Sequence, residues 1–480
     1  MRNSLQARRT ALRKYKLWLQ CERKALSLSL TILLTLFSYS SSSAAQKSEM
    51  TDSGLPWSGS SSVRVSELDG QAMLTVNGTP FFVNGAGMSY RNEAGIHSLA
   101  NAGGNAFRTW DTAAIDVQLD AASKHGLMVL VGLELGTQLQ GFDYSDNDAV
   151  AEQAQRLLAT VQRYKDHPAL LGWILGNEPN LMVNDLGEVV PADTSVYAAI
   201  GDLAQSINAA DPDHPTTVTF AFTATLAEDI RNASSAAPAL DFISLQAYGA
   251  LPAISRLMSD PQLRLPFMIT EYGPLGHWEM PATQWGREIE EPSGHKAEGM
   301  IARMQNSIIN DPTGRLLGSF AFLWGQKQER TPTWYGLFLQ TGERTASVDE
   351  LTRVWTGSWP ENRAPSAWAI TLAGETATQS VMVKPGEHVS ASAQITDPEN
   401  DTLRLRWELR EEVDERSHGG HFERTPQEVS IADLSTSRKD EQYQASFTAP
   451  SIDGEYRLFV YAFDDSDGAA TANIPFKVRK

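Results

Sequence analysis

The sequence predicts an α/β protein: an eight-fold (β/α)8 barrel followed by a small all-β sandwich. Three observations carry that expectation. From Phe81 to about Trp359, eight apolar segments of strand length alternate with amphipathic segments whose apolar residues recur at i, i+3 and i+4. That stretch of roughly 280 residues suits a barrel, which typically needs ~250. An open doubly wound sheet would be expected to offer a phosphate loop such as GxGxxG or GxxxxGK[ST], and neither pattern is present. After Trp359 the Pro-bearing connector PENRAPSAW ends the helical periodicity, and short alternating runs take over.

Residues 1–45 read as a secretory signal peptide. Arg2, Arg8, Arg9, Arg13, Lys14, Lys16, Arg23 and Lys24 face a single acid, Glu22, and precede LSLSLTILLTLF and the small residues of SYSSSSAAQ. Cleavage is expected after Ala45. The alternative is an uncleaved anchor, but the apolar core falls short of the ~20 residues that span a bilayer. Export to the periplasm or beyond, with no stable membrane span after cleavage, follows from this reading. The 480-residue chain carries a net charge of −18, and loss of the +7 on its first 45 residues would leave −25. Such acidity argues against nucleic-acid partners, which reward basic surfaces. The one cysteine, Cys21, excludes intramolecular disulfides and CxxC metal clips.

Residues 46–79 follow as a Ser- and Gly-rich leader and N-terminal strands, SVRVSELDG and QAMLTVNGTPFF, whose NG step signals a hairpin turn. The barrel, 80–360, has strand candidates at 80–87, 105–110, 127–135, 170–179, 216–222, 241–249, 266–273 and 316–325. Segments 151–167 and 296–310 are two of the intervening helices. The sandwich, 366–480, is read from SVMVKPG, HVSASAQITD, LRLRWEL, QYQASFTAP, EYRLFVYAFD and ANIPFKV.

Active sites of such barrels sit at the C-terminal ends of the strands. Glu178 ends the fourth strand in GWILGNEPN, and Glu271 ends the seventh in FMITEYG. A pair of carboxylates there suits retaining glycoside hydrolysis, with one acting as acid/base and the other as nucleophile. For either glutamate alone, an ion pair with arginine or a helix cap is an equally good account. Glu134, ending the third strand, reads as a sugar-hydroxyl contact. Nine histidines without HExxH or clustered spacing give no sign of a catalytic metal, and no cofactor is expected.

The segments VNGTPFFVNGAG, NAFRTW, HPALLGWILGNEPN, ITEYG and FLWG, spanning roughly 70–360, resemble clan-A retaining glycoside hydrolases of families 2 and 5. The resemblance implies Glu178 as acid/base and Glu271 as nucleophile. It also implies Asn177 on the sugar 2-hydroxyl and Arg108 keeping the nucleophile ionised. Tyr248, ending the sixth strand, is placed to donate to the same carboxylate, the alternative being a rim position. Trp324, ending the eighth, is expected as a floor for a pyranose face or else as core packing. Loop aromatics Trp278 and Trp285 are candidate sugar platforms, with Tyr90, Trp110, Tyr272, His277, Trp334 and Tyr335 behind them.

The C-terminal module, with DPENDTL and FDDSDG, resembles cadherin-like and PKD-like sandwiches, whose acidic turns sometimes hold Ca2+. Asp397, Asp401, Asp465 and Asp467 are the implied ligands; solvated acidic turns are the alternative. Residues 366–480 supply none of the proposed catalytic groups, so the barrel alone is expected to carry the chemistry. The expected activity is hydrolysis of a β-linked glucan or related polysaccharide or oligosaccharide. Transglycosylation by the same two glutamates and a catalytically silent glycan-binding barrel are the alternatives.

Overall fold

The computed structural model describes residues 59–184, 188–414, 416–417, 420 and 422–480. The signal-peptide segment, Cys21 and most of the leader lie outside the described residues. A closed barrel of eight parallel strands forms the larger part. Its strands are β1 Val83–Met88, β2 Ala106–Arg108, β3 Met128–Leu133, β4 Leu170–Asn177, β5 Thr216–Ala221, β6 Phe242–Gln246, β7 Phe267–Tyr272 and β8 Leu316–Trp324. Each lies inside one of the eight segments read from the sequence, with β1 reaching one residue beyond its segment. Burial on both faces explains their near-continuous apolar runs, because helices cover the outside and packed side chains fill the inside.

Eight helices alternate with these strands: α1 Glu93–Asn101, α2 Ile115–His125, α3 Asn147–Tyr164, α4 Ser195–Ala210, α5 Leu226–Ala236, α6 Leu251–Met258, α7 Ser293–Met304 and α8 Ala346–Thr356. Asp146 caps α3 by accepting from the amides of Asp148 and Ala149, and Asn92 caps α1 through Gly95. The apolar stripe of α3, Leu157, Val161 and Tyr164, then meets the barrel wall.

A three-stranded sheet, Val63–Leu68, Gln71–Val76 and Thr79–Pro80, precedes the barrel. Its second turn, Asn77-Gly78, has φ of 51° and 79°, the double left-handed step of a tight hairpin. Val63, Leu74 and Val76 pack with Val83, Met128, Leu171, Phe242 and Leu317, residues near the starts of the barrel strands. The hairpin therefore plugs the barrel end opposite to where Glu178 and Glu271 emerge.

Beyond α8 two antiparallel sheets stack over their own apolar core, including Ile395, Phe447, Leu458 and Phe476. One sheet orders Ser366–Leu372, His388–Thr396, Gln442–Thr448 and Ala432–Lys439; the other centres on Gly468–Val478, Gly454–Phe463 and Arg404–Glu411. Arg344–Thr345, the residues entering α8, pair in parallel with the start of Gly468–Val478. The sandwich sheet thus extends onto a piece of chain ahead of the expected boundary at 366. Among the described residues no helix is long and apolar enough to cross a membrane.

Candidate active site

Glu271 emerges at the end of β7, where the strand pairing with β8 shifts register twice. Its carboxylate is enclosed by donors from the ends of β2 and β6 and from the residues just beyond them. Oε1 accepts from Arg108 Nη1 (3.2 Å), Trp110 Nε1 (2.8 Å) and Gln246 Nε2 (3.0 Å), while Oε2 accepts from the Tyr248 hydroxyl (2.8 Å). Arg108, Trp110 and Gln246 can only donate through these atoms, so Oε1 is an acceptor in all three bonds. Burial, then the charge of Glu271, pushes the Tyr248 phenol well above its usual range and keeps it a donor.

Arg108 is fully buried and forms the central brace. Besides Glu271 it donates Nη2 to Asn177 Oδ1 at 3.0 Å, and its guanidinium lies 4.9 Å from the Trp110 ring centroid. Asn177 Oδ1 also accepts from Gln246 Nε2 at 2.8 Å. Thr219 Oγ1 lies 3.4 Å from the same oxygen, so the Asn177 carbonyl is held by three neighbouring strands.

Glu178 follows directly, and its environment is the opposite of Glu271's. The chain leaves β4 through Gly176 at φ 84° and then sets Glu178 itself at φ 51°, a left-handed conformation that a glutamate rarely adopts. The Glu178 amide is tied to Thr219 O of β5 at 3.0 Å, which fixes that unusual turn. Burial raises the Glu178 carboxyl, the negative charge of Glu271 raises it further, and Glu329 adds to both. Arg108 and Lys327 pull the other way but do not prevail, and the carboxyl is pushed up to about 8.

Glu329 is a member of the site that the sequence reading missed. It lies in the loop after β8 and pairs with Lys327 (2.8 Å) and His277 (3.5 Å). Burial opposes its ionisation, but those two partners outweigh it and hold the carboxyl down to about 2. Gln246 was missed as well, since a glutamine at a strand end carries no signal of its own. Trp110 was read as a loop aromatic and serves instead as a donor to Glu271.

Of the expected aromatics, the structure separates four fates. Trp278 is 62% exposed and meets Tyr248 edge-on at 5.6 Å, so it stands at the site as an open apolar face. Phe322, Trp334 and Tyr335 form a buried cluster with Tyr248, and Trp110 packs against it. Trp324 is a correction: it is fully buried in the barrel wall, donates to Ser98 on α1, and packs against Phe338 and Trp355. Phe322, two residues earlier, is the β8 aromatic that faces the site, 5.6 Å from Trp110 and 5.9 Å from Tyr248. Trp285 lies against the sandwich, with Lys477 5.8 Å from its ring centroid, rather than among the groups around Glu271. Tyr272 points into the core and Tyr90 packs on Phe338. Glu134 is exposed as a residue, but partial desolvation of its carboxyl, then the charge of Asp111, raises it.

The sandwich also reaches this end of the barrel. Glu423 accepts from the backbone amide and the guanidinium of Arg330, the residue after Glu329, and Lys327 donates to Gly420 O at 2.7 Å. Arg457 donates to Glu288 O at 2.9 Å, and the buried Glu290 binds Lys296, Thr331, Thr333 and Asn473. The loop carrying Glu329 is therefore held from the sandwich side.

The acidic turns of the sandwich keep two of the four expected ligands and replace the other two. Asp397 and Asp401 do converge with a third acid, but it is Asp464; Asp465 and Asp467 are exposed. Asp464 Oδ1 accepts from the amides of Ser466 and Gly468, which turns its neighbours outward.

No protein-family model matches the chain, and no curated protein matches it. Among solved structures, a β-glucuronidase from Bacteroides uniformis aligns at 13% identity and TM-score 0.46, covering 87% of this chain and 48% of that one. A glucosidase from Croceicoccus marinus aligns at 12% identity and TM-score 0.42, covering 88% and 99%. A β-1,4-D-mannanase from Cryptopygus antarcticus aligns at 14% identity and TM-score 0.37, covering 55% and 89%. The chain spans about half the length of the glucuronidase chain with which it aligns.

Proposed function

We propose that this protein is a retaining glycosidase acting on a β-linked glycan. One observation carries the reading: two strand-end carboxyls in one barrel mouth have opposed environments. Glu271 is met by four donors, whereas Glu178 is pushed up to about 8. Two carboxyls in such unlike surroundings can divide the labour of acid and nucleophile.

In the first step a Glu271 oxygen attacks the anomeric carbon, and the bond to the leaving oxygen breaks as Glu178 hands that oxygen its proton. The donors around Glu271 hold one oxygen while the carboxylate becomes an ester. In the second step Glu178, now ionised, takes a proton from water, which displaces Glu271 and restores both residues. Asn177, whose oxygen is held by its neighbours, would hydrogen-bond a sugar hydroxyl through its NH2 group, and Trp278 offers a face for the ring.

A panel of aryl β-glycosides and defined β-linked oligosaccharides, with products followed by proton NMR, tests the reading. The first-formed sugar should be the β anomer. An α anomer would mean inversion, and no turnover on any member would overturn the assignment.

A further inference from the structure

Three acidic side chains meet where the connector after α8 joins the sandwich. Asp397 and Asp401 bracket the turn after His388–Thr396, and Asp464 opens the turn before Gly468–Val478. One carboxylate oxygen from each lies within 4.8 Å of the others. Proximity among acids is not a site by itself, but the hydrogen bonding around these three is one-sided. Asp464 is only 8% exposed; its Oδ1 accepts from Ser466 N (2.8 Å) and Gly468 N (2.7 Å), while its buried Oδ2 has no partner. Asp397 repeats the pattern: Oδ1 accepts from Glu399 N (3.1 Å) and Asp401 N (2.7 Å), and Oδ2 is buried without a partner. Asn362 of the connector donates Nδ2 to Asp401 Oδ2 at 2.6 Å, and its own Oδ1 is likewise buried and unpartnered.

These unpartnered atoms are all acceptors. A buried acceptor without a donor is costly, and gathering several in one place adds like-charge repulsion. Among the described residues no lysine, arginine or histidine nitrogen lies within 4 Å of the three carboxylates. Arg344, which borders the cluster, spends its guanidinium on Asp349 Oδ1 (2.9 Å), Ser466 O (2.5 Å) and Asn362 O (2.7 Å). A water molecule could donate to two of these oxygens at most. A cation would satisfy them together.

We propose that Asp397, Asp401 and Asp464, with Asn362 beside them, form a calcium site that locks the joint between barrel and sandwich. Calcium takes 6–8 hard oxygen ligands at about 2.3–2.6 Å, so two oxygens on opposite sides of one ion stand roughly 5 Å apart. The spread observed here falls inside that envelope, and water supplies the remaining positions. Magnesium asks for a tighter octahedron at about 2.0–2.1 Å and keeps more of its own water. The ligands come from both sides of the joint: Asn362 from the connector and the aspartates from two sandwich turns. Asp464 also shapes the turn that delivers Gly468 to its pairing with Arg344, the residue that enters α8. The site stands independently of the glycosidase reading.

The test uses the full mature chain stripped with EGTA and exchanged into metal-free buffer. Calorimetric titration with CaCl2 should show one ion bound, and saturating calcium should raise the unfolding temperature, because a ligand of the native state alone stabilises it by mass action. MgCl2 should produce a markedly smaller shift. Asp401→Asn and Asp464→Asn should each weaken calcium binding at least tenfold, while Asp465→Asn and Asp467→Asn leave it unchanged. No calcium heat and no thermal shift in the stripped wild-type chain would overturn the site, whatever the variants do. Unaltered binding in both Asp401→Asn and Asp464→Asn would overturn these ligands, and equal response to magnesium would overturn the choice of ion.

Discussion

The hydroxyl of Tyr248, at the mouth end of the sixth barrel strand, donates to Glu271 Oε2 at 2.8 Å, while three other donors occupy Oε1. The two carboxylate oxygens are thus held unequally, one by a phenol alone and one by a guanidinium, an indole and an amide. As Glu271 becomes an ester, the oxygen that forms the new bond must give up acceptor strength. Tyr248→Phe removes the lone donor on Oε2, and Trp110→Phe removes one of three on Oε1. Hydrogen bonds to charged groups are worth about 1.5–3 kcal/mol, so either change should lower kcat on the order of 10–100-fold if the bond acts in the transition state. Steady-state kinetics with unaltered circular dichroism would check this; kcat within twofold of wild type in both variants would contradict it.

The raised carboxyl of Glu178 predicts a basic limb in the pH dependence of kcat/KM. Protonated Glu178 is the donor in the first step, so activity should fall as pH rises through about 8. Glu329 contributes negative charge to that elevation, and Lys327 is its partner. Glu329→Gln removes the charge and frees Lys327, and both effects favour ionised Glu178. The basic limb should therefore move to lower pH in Glu329→Gln. A limb that stays in place or moves upward would show that Glu329 does not act on Glu178.

The same shift has a stability counterpart with a definite sign. Glu178 is raised from the ordinary 4.5 to about 8 in the folded state, so the native chain holds a proton that the unfolded chain releases. That contribution is complete below pH ~4.5 and is lost as pH rises through about 8. Glu178→Gln, which cannot ionise, should melt higher than wild type at pH 9, with the gap closing toward pH 5. A gap that widens toward acid pH would contradict the assignment.

Trp278 and Trp324 separate ligand contact from packing. Trp278 is 62% exposed beside Tyr248, so Trp278→Ala should raise KM with little change in melting temperature. Trp324 is fully buried, and Trp324→Ala should cost about 3–5 kcal/mol of stability, the range for a large aromatic removed from a core. Urea unfolding and Michaelis constants for both variants give the comparison; a stable Trp324→Ala with raised KM would reverse the roles.

The barrel was legible in the sequence because parallel strands buried on both faces leave unbroken apolar runs, and all eight fell where those runs lie. The two glutamates were legible because each ends such a run. What was not legible depends on direction rather than position. Trp324 and Phe322 both belong to FLWG, and only the course of β8 decides which one faces the site. Ala432–Lys439 was missed because it is an edge strand exposed throughout, so ADLSTSRK has no apolar alternation to show. Asp464 was passed over for Asp465 and Asp467 because one turn sends neighbouring side chains to opposite sides.

The sequence alone also suggested that the barrel could act without the sandwich. The buried contacts of Glu423 with Arg330 and of Asn473 with Glu290 argue otherwise. A chain ending at Ala364 should lose both stability and activity on short substrates, because buried Arg330 would lose Glu423 and buried Glu290 would lose Asn473. In the full chain, Glu423→Ala should lower activity while the sandwich stays folded. Wild-type activity of the truncated chain would show that the sandwich does not shape the site.

The central claim is that Glu271 becomes covalently bound to substrate, and trapping that ester tests it most directly. A panel of 2-deoxy-2-fluoro β-glycosides with activated leaving groups slows the second step more than the first, so the intermediate should accumulate. Peptide mass mapping of the inactivated protein should find one glycosyl group on Glu271, and Glu271→Gln should take up none. A glycosyl group on any other residue, or rapid turnover of a substrate by Glu271→Gln, would contradict the mechanism.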